Sequence, residues 1–282
     1  MMNFIPESIL TQPLLLASSA LPAFIQRFAM LRTRADAMLS INPEQGFDLS
    51  TFVNQRQPMN IVNGVAMIHV NDVLAQGTTP IDRMLGMTDY EQIKSELNQA
   101  AENPAVRAAV LKVNSPGGSA IGATEAAQSV RDFRQHKPIV SHLGDYGASA
   151  AYYLASASSA IISQQSGTHG SVGTIIRFTE YSKMAEKEGV TAHIITPKSA
   201  DLKATANSMR APTEAELSYL QEHVESINAE FTGWVQKHRP NVTGEQMRGQ
   251  VFTGSQAAQN GLADYTGTLQ DAIAAARALA RI

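Results

Sequence analysis

The sequence predicts an α/β fold with a mostly parallel sheet, crossover helices, an N-terminal arm and C-terminal helices. Two observations lead to this prediction. Short apolar runs rich in β-branched residues alternate with helical patterns, as expected of strands joined by crossover helices. Polar capping residues also stand where helical patterns begin. The expected strands are residues 65–70, 109–113, 139–143, 161–162 and 193–195.

Capping signals place two of the helices. Thr88 is followed by Glu91, and Thr213 by Glu216, at the spacing of a capping box. The second helix should end at Pro240 and pack an apolar stripe into the core. That stripe consists of Leu217, Leu220, Val224, Ile227, Phe231 and Trp234. An alanine-rich helix over residues 272–280 is expected as a tail or as an interface.

Composition excludes several classes of function. The 282 residues carry a formal net charge of −3, which provides no general attraction to nucleic acid or to an anionic membrane. Cysteine is absent, so the chain has no disulfide, no thiolate nucleophile and no cysteine metal site. Covalent catalysis would therefore need a different nucleophile.

The N-terminal region is expected to be an arm, not a membrane anchor. Residues 9–26 lack charge, but Pro13 and Pro22 interrupt them. They fall short of the roughly 20 apolar residues that span a bilayer, and no basic cluster precedes them as in a signal peptide. We divide the chain into an arm and connector, residues 1–58, and a main domain, residues 59–282.

A glycine pair follows the second expected strand. Residues 114–119 read Asn-Ser-Pro-Gly-Gly-Ser and precede a helical pattern, so a strand-to-helix turn is expected there. Gly117 and Gly118 let the backbone approach a ligand closely, and amides at a helix N-terminus point toward developing negative charge. The segment fits an oxyanion hole, although a plain tight turn is the more common use of such residues.

Ser149 is the candidate nucleophile. It follows an expected strand, opens a helical pattern and has the small neighbours Gly147, Ala148 and Ala150. Small neighbours leave a serine hydroxyl accessible on a sharp strand-to-helix turn and let the next amide bind an oxyanion. A helix cap or a packing role is the alternative for such a serine.

Two later segments carry candidate partners for the nucleophile. Ser171 lies in a glycine-punctuated loop, residues 167–174. Lys198 and Lys203 bracket a polar segment, and either could act as a base if burial favoured its neutral form. A solvated run of charge is the alternative for this segment.

In this order the segments resemble the signal peptide peptidase A family of serine-lysine peptidases. The motifs are Ser-Pro-Gly-Gly-Ser, Gly-Ala-Ser-Ala-Ala-Tyr-Tyr, Gly-Ser-Val-Gly and Lys-Ser-x-x-x-Lys, followed by Gly-Leu-Ala-Asp near the end. The resemblance covers about residues 60–267. It implies a Clp-like or crotonase fold and hydrolysis of peptide bonds in protein substrates.

The resemblance also implies a role for each site residue. Ser149 would attack the scissile carbonyl, Lys203 would remove the hydroxyl proton, and Ser171 would orient the lysine. The implied oxyanion donors are the amides of Gly118 and Ala150. Gly117 would shape the backbone beside them. This chemistry needs no metal and no cofactor.

Within that family, the chain resembles the head-maturation proteases of tailed phages more than the membrane-anchored bacterial enzymes. Residues 12–15, 62–66 and 86–90 carry that similarity. It implies cleavage of scaffold, portal or capsid proteins inside a procapsid in the host cytoplasm, by a homo-oligomer without a membrane anchor. One departure concerns the lysine segment, where the family usually has Ser-Gly and this chain has Ser199-Ala200.

Three other hypotheses remain open at this stage. A Ser-His-Asp peptidase would use His142 or His169 instead of the lysine. An acyl-CoA hydratase or isomerase of the same fold would need acidic groups in its pocket, and Asp145 is a weak candidate for one. A non-catalytic capsid assembly protein could share the fold without the activity.

Overall fold

The structure is a computed structural model, and it describes residues 14–16, 59–79, 82–83 and 86–282. The strands of the described residues are β1 (Leu14–Leu16), β2 (Asn60–Val62), β3 (Val65–Ala75), β4 (Thr88–Asp89), β5 (Ala108–Ser119), β6 (Ile139–Ala148), β7 (Ala160–Ser163), β8 (Thr168–Gly170), β9 (Val251–Thr253) and β10 (Tyr265–Thr266). Apart from β1, the predicted arm and connector lie outside the described residues.

Helices alternate with these strands along the chain. They are α1 (Tyr90–Glu102), α2 (Ala123–His136), α3 (Ala150–Ser156), α4 (Ser182–Lys187), α5 (Glu214–His238), α6 (Gly254–Gln259) and α7 (Leu269–Ala280). Two short 3-10 helices cover Lys198–Ala204 and Gly244–Gln246.

The sheet is parallel through its centre. Its main path runs β10-β7-β6-β5-β3-β2, and the neighbours from β10 to β3 are all parallel. Antiparallel pairs occur at β2 with β3, at β8 with β9 and at β1 with β5. The predicted α/β fold with a mostly parallel sheet and crossover helices is confirmed.

The two faces of the sheet form two apolar cores because neighbouring strand residues point to opposite faces. On β3, Ile68 packs into the larger core with α1, α2 and α3, whereas Met67 packs into the smaller one. The smaller core also holds Ala272 and Ala276 of α7. The alanine-rich helix is therefore neither a free tail nor solely an interface, because it covers the second face of the sheet.

Helix α5 follows its predicted start and end but not its predicted burial. The capping box of Thr213 and Glu216 is present, and the helix ends before Pro240. Phe231 is buried, whereas Leu217 is 47% exposed. The core-packing prediction is thus correct for the second half of the helix and wrong for the first.

Two smaller predictions are corrected. Helix α1 is capped by Asp89, whose side chain accepts the Glu91 amide, while Thr88 lies in β4 and donates to the Asn71 carbonyl. Residues 193–195 were expected to form a strand but have no regular structure and are exposed. An apolar β-branched run needs a neighbouring strand to pair with, and this run has none among the described residues.

Candidate active site

Ser149 lies at a sharp turn between β6 and α3. Its backbone has φ 54° and ψ −123°, a conformation that costs a non-glycine residue free energy. Its amide donates to the Gly170 carbonyl at 2.8 Å, and its carbonyl accepts the Tyr153 amide at 2.8 Å. The side chain is buried, and Oγ has no hydrogen-bond partner among the described residues. This is the backbone geometry of a nucleophile elbow.

The small neighbours of Ser149 are required by packing. Ala148, Ala150 and Ala151 are fully buried. A Cβ atom on Gly147 would lie 2.9 Å from the Leu143 side chain, closer than carbon atoms approach without a shift. The sequence pattern of small residues around the serine therefore has a local steric cause, and it leaves the turn tight.

The structure brings Ser171 close to the nucleophile. Strand β8 pairs with β6 beside Gly147 and Ala148, and the Ser149 amide binds the carbonyl of Gly170, the residue before Ser171. Ser171 is buried, has φ 49° and donates its amide to the Gln250 carbonyl at 2.8 Å. Both candidate serines are thus held in strained backbone conformations by hydrogen bonds to neighbouring segments.

The glycine pair is required by its contact with β3. Gly117 has φ 105°, and its amide donates to Ser115 Oγ at 3.1 Å. A Cβ atom on Gly118 would lie 1.9 Å from the Leu74 carbonyl oxygen, so no other residue fits without moving the backbone. Ser115 Oγ in turn donates to the Asp72 carbonyl.

The glycine pair does not form the expected strand-to-helix turn. Strand β5 continues through it to Ser119, and α2 begins later, after Gly122 in the left-handed conformation. Pairing of β5 with β6 ends at Ser115 and Gly147, two residues before the nucleophile. Beyond that point β5 no longer pairs with β6, so the glycine pair on β5 and Ser149 after β6 lie just past the place where this pairing stops. Ala150, the other expected donor, is the first residue of α3.

Lys203 lies in a different environment from the serines. It belongs to the 3-10 helix Lys198–Ala204, which is kinked at Ala200 with φ −140° and ψ 42°. The lysine is exposed. Since Ser149 Oγ has no hydrogen-bond partner among the described residues, the lysine is not bonded to the nucleophile in this structure. The kink falls at the alanine that replaces the glycine usual in the family.

The two histidines occupy structural positions. His142 lies in the middle of β6 opposite Lys112 and Ile162, and the six residues of strand to Ala148 span about 20 Å. His169 is fully buried, and its Nε2 lies 3.3 Å from the Gln164 carbonyl oxygen. Burial lowers the pKa of His169 to about 4. Neither ring is hydrogen-bonded to Ser149 Oγ.

The acidic groups near the site do not form a pair. Asp145 is the one carboxylate of β6, and it is exposed and accepts Gln164 Nε2 at 2.9 Å. Within the described part of the chain, no three His, Cys, Asp or Glu side chains are placed to hold a metal ion.

Sequence reasoning did not assign a purpose to the Gly-Leu-Ala-Asp segment. Tyr152 of α3 donates its hydroxyl to the Leu262 carbonyl at 2.8 Å. Asp264 accepts the Ile161 amide at 2.6 Å and pairs with Arg239 at 2.9 Å. The segment therefore holds the nucleophile helix and the end of α5 in place, which its spacing alone could not reveal.

Comparison with known proteins assigns the chain to a family. The sequence profile of Peptidase family S49 matches residues 131–282, a range that contains Ser149, Ser171 and Lys203. The chain belongs to peptidase family S49. This agrees with the resemblance to signal peptide peptidase A that the sequence motifs predicted.

Two relatives of this S49 chain illustrate its similarities. A protein from Enterococcus faecium that carries the name signal peptide peptidase SppA is 32% identical over 215 residues, 74% of this chain and 61% of the relative. Capsid assembly protease C of Escherichia phage lambda is 29% identical over 229 residues, 79% of this chain and 51% of the relative. The chain thus spans about half to three fifths of the length of these relatives.

A solved structure and the helix lengths complete the comparison. An enoyl-CoA hydratase/isomerase (crotonase) from Legionella pneumophila has a TM-score of 0.43 with 13% identity, covering 79% of this chain and 74% of the other. Of the helices in the described ranges, none has the length and apolar character needed to cross a bilayer.

Proposed function

We propose that this chain is a serine endopeptidase that uses Ser149 as its nucleophile. The observation that carries the proposal is the strained turn at Ser149, whose hydroxyl is buried without a hydrogen-bond partner just past the place where the pairing of β5 with β6 ends. Backbone strain at a polar residue whose side chain makes no hydrogen bond is typical of a catalytic position. The S49 profile spans the same residues.

The proposed reaction has two steps. Ser149 Oγ attacks the carbonyl carbon of the scissile bond, and its proton passes to the neutral amine of Lys203. The amides of Gly118 and Ala150 stabilise the negative oxygen of the tetrahedral intermediate. The C–N bond breaks, the lysine returns the proton to the leaving amine, and water hydrolyses the acyl-enzyme by the same route. Ser171 would orient the lysine.

The lysine must move or be covered before it can act. A lysine amine becomes neutral near pH 7 only when it is shielded from water. This part of the chain exposes several apolar side chains: Leu202, which precedes the lysine, Ile195, which is 92% exposed, and Leu217 in the first half of α5. Exposed apolar surface is typical of an interface. We therefore propose that a homo-oligomer completes the base side of the site.

The proposed substrates are proteins of a phage head. The similarity to capsid assembly protease C and the phage-like motifs of the sequence support cleavage of scaffold, portal or capsid proteins inside a procapsid in the host cytoplasm. Both observations are similarities to other proteins. Cleavage of purified head proteins by this chain therefore tests the substrate class separately.

Labelling and cleavage measured together test the mechanism. Wild type, Ser149→Ala, Lys203→Ala and Lys198→Ala are incubated with a fluorophosphonate probe and an unfolded protein. Lys198 is the matched control because it lies in the same 3-10 helix as Lys203. We expect both labelling and cleavage to fall at least about a thousandfold in the first two variants and to stay within about twofold in the control. Activity should rise with pH and survive chelators.

Other outcomes would favour other functions. Full labelling of Lys203→Ala would remove the lysine from the mechanism and leave His169, which lies beside Gly147 on β8, as the first base to examine. A folded, assembled wild type that neither labels nor cleaves would favour the non-catalytic assembly role. Asp145 is exposed and accepts Gln164 Nε2, which gives no support to acyl-CoA chemistry.

A further inference from the structure

Strand β1 is bound to the glycine pair of the candidate site. It comes from the N-terminal region, far upstream of the domain, and pairs antiparallel with the end of β5. Leu14 lies opposite Ser119, Leu15 opposite Gly118 and Leu16 opposite Gly117. The central contact of this short ladder is thus with Gly118, the proposed oxyanion donor.

The position of β1 follows from the two edges of β5. One edge of the glycine pair is taken by β3, where Val73 lies opposite Gly117 and Leu74 opposite Gly118. An extended strand has two hydrogen-bonding edges, so β1 occupies the other. Upstream, this edge of β5 pairs with β6 as far as Ser115 and Gly147, and Gly147 is two residues before Ser149.

A peptide substrate needs the same edge. To place its scissile carbonyl at the Gly118 amide and within reach of Ser149, an extended peptide must run alongside the glycine pair. Strand addition of this kind uses main-chain hydrogen bonds from the edge it joins. One edge offers one row of N–H and C=O groups, so it cannot hold β1 and a substrate strand together.

We propose that Leu14–Leu16 is an internal occupant of the substrate-binding edge, which must leave before a substrate can bind. The inference rests on the proposed function of Ser149. Three residues of ladder contribute a few net hydrogen bonds at most, and each is worth a modest amount in water. The entropy lost in ordering these residues offsets much of that gain, so β1 should slow access to the site by about threefold to tenfold and not abolish it.

A reversible crosslink tests the contact and its consequence in one protein. The chain has no cysteine, so Leu14→Cys with Ser119→Cys introduces the only pair of thiols. Residues directly opposite in an antiparallel ladder have Cα atoms about 4.5–5.5 Å apart, within the range that a disulfide spans. The matched control is Leu15→Cys with Ser119→Cys, which is out of register by one residue and projects the thiols to opposite faces.

The expected result has two parts. On mild oxidation the in-register pair closes at least about tenfold faster than the control, detected as the mass loss of two hydrogens. The oxidised protein then labels with fluorophosphonate at least about tenfold more slowly than the same protein after reduction, because the arm can no longer leave. Equal crosslinking of the two pairs would refute the register, and unchanged labelling of the oxidised protein would refute the competition.

A second variant avoids both cysteine and oxidation. Replacing Leu14–Leu16 by Leu14→Gly, Leu15→Ser and Leu16→Gly weakens the strand and should raise labelling by about threefold to tenfold. An unchanged rate would also overturn the proposal. If the reduced cysteine protein never labels at Ser149 while the in-register disulfide still forms, the peptidase assignment fails and the strand contact stands, so the two failures are distinguishable.

Discussion

The serine side of the site, residues 114–119 and 139–172, and the lysine side, residues 173–217, are built in different ways. Ser149 and Ser171 lie at the ends of sheet strands, are buried, and are held by backbone hydrogen bonds. Lys203 lies in an exposed, kinked 3-10 helix. Under the proposed mechanism, this difference means that the chain preforms the nucleophile and the oxyanion site and leaves the general base to a later event, so activity can be controlled through the base.

The largest effect on stability should come from adding one methyl group to the serine side, at Gly118. Gly118→Ala places a Cβ atom 1.9 Å from the Leu74 carbonyl oxygen and should lower the free energy of unfolding by about 3 kcal/mol or more. Urea denaturation measures this. Gly233→Ala, in the exposed part of α5 with no atom near the added Cβ, should instead raise it by about 1 kcal/mol. Similar small changes in both variants would mean that the glycine edge is not rigid.

A second test measures how the stability of the protein depends on pH through His169, a residue of the serine side. Burial lowers the pKa of His169 to about 4, below the value of about 6.5 in an unfolded chain. Between these values the unfolded chain binds more protons, so stability is full above about pH 6.5 and is lost as the pH falls toward 4, by up to about 3 kcal/mol. His169→Gln should flatten the urea stability profile in that window. An unchanged slope in His169→Gln would contradict this expectation.

The smallest effect on stability is expected on the lysine side. Ile195 is 92% exposed, so Ile195→Ser should change the free energy of unfolding of a single chain by no more than about 0.5 kcal/mol. If assembly covers this surface, the same variant should weaken self-association in sedimentation experiments and reduce probe labelling. Glu186→Gln, an exposed polar control in α4, should do neither. A variant that loses stability instead would contradict the contrast between the two sides.

The sequence predicted the serine side well because its signals are local. Apolar runs marked the strands, and parallel strands end at a common edge of the sheet, so the glycine pair and Ser149 had to lie near each other. Pairing was harder to foresee. The contact between Gly118 and Leu74 keeps residues 114–119 extended where a turn was expected, and it joins segments far apart in sequence.

The lysine side was predicted less well for a related reason. The apolar run at residues 193–195 and the stripe on α5 both suggested burial, but Ile195 is 92% exposed and Leu217 is 47% exposed. An apolar periodicity indicates that a surface is covered, but it does not indicate which partner covers it. The same residues would give the same pattern whether the partner is the chain's own sheet or another copy.

The hydrogen bond between the Tyr152 hydroxyl and the Leu262 carbonyl can form only after most of the chain has been synthesised. Ser149, the proposed nucleophile, is synthesised more than 100 residues before Leu262, whose carbonyl binds Tyr152 of α3. Strand β9, which pairs with β8, is also synthesised after Ser149. A nascent or truncated chain that stops before residue 262 carries Ser149 without the support that fixes its turn. The proposed activity would therefore be latent while the chain is translated, and proteolytic removal of residues 262–282 would switch it off without touching Ser149 or Lys203.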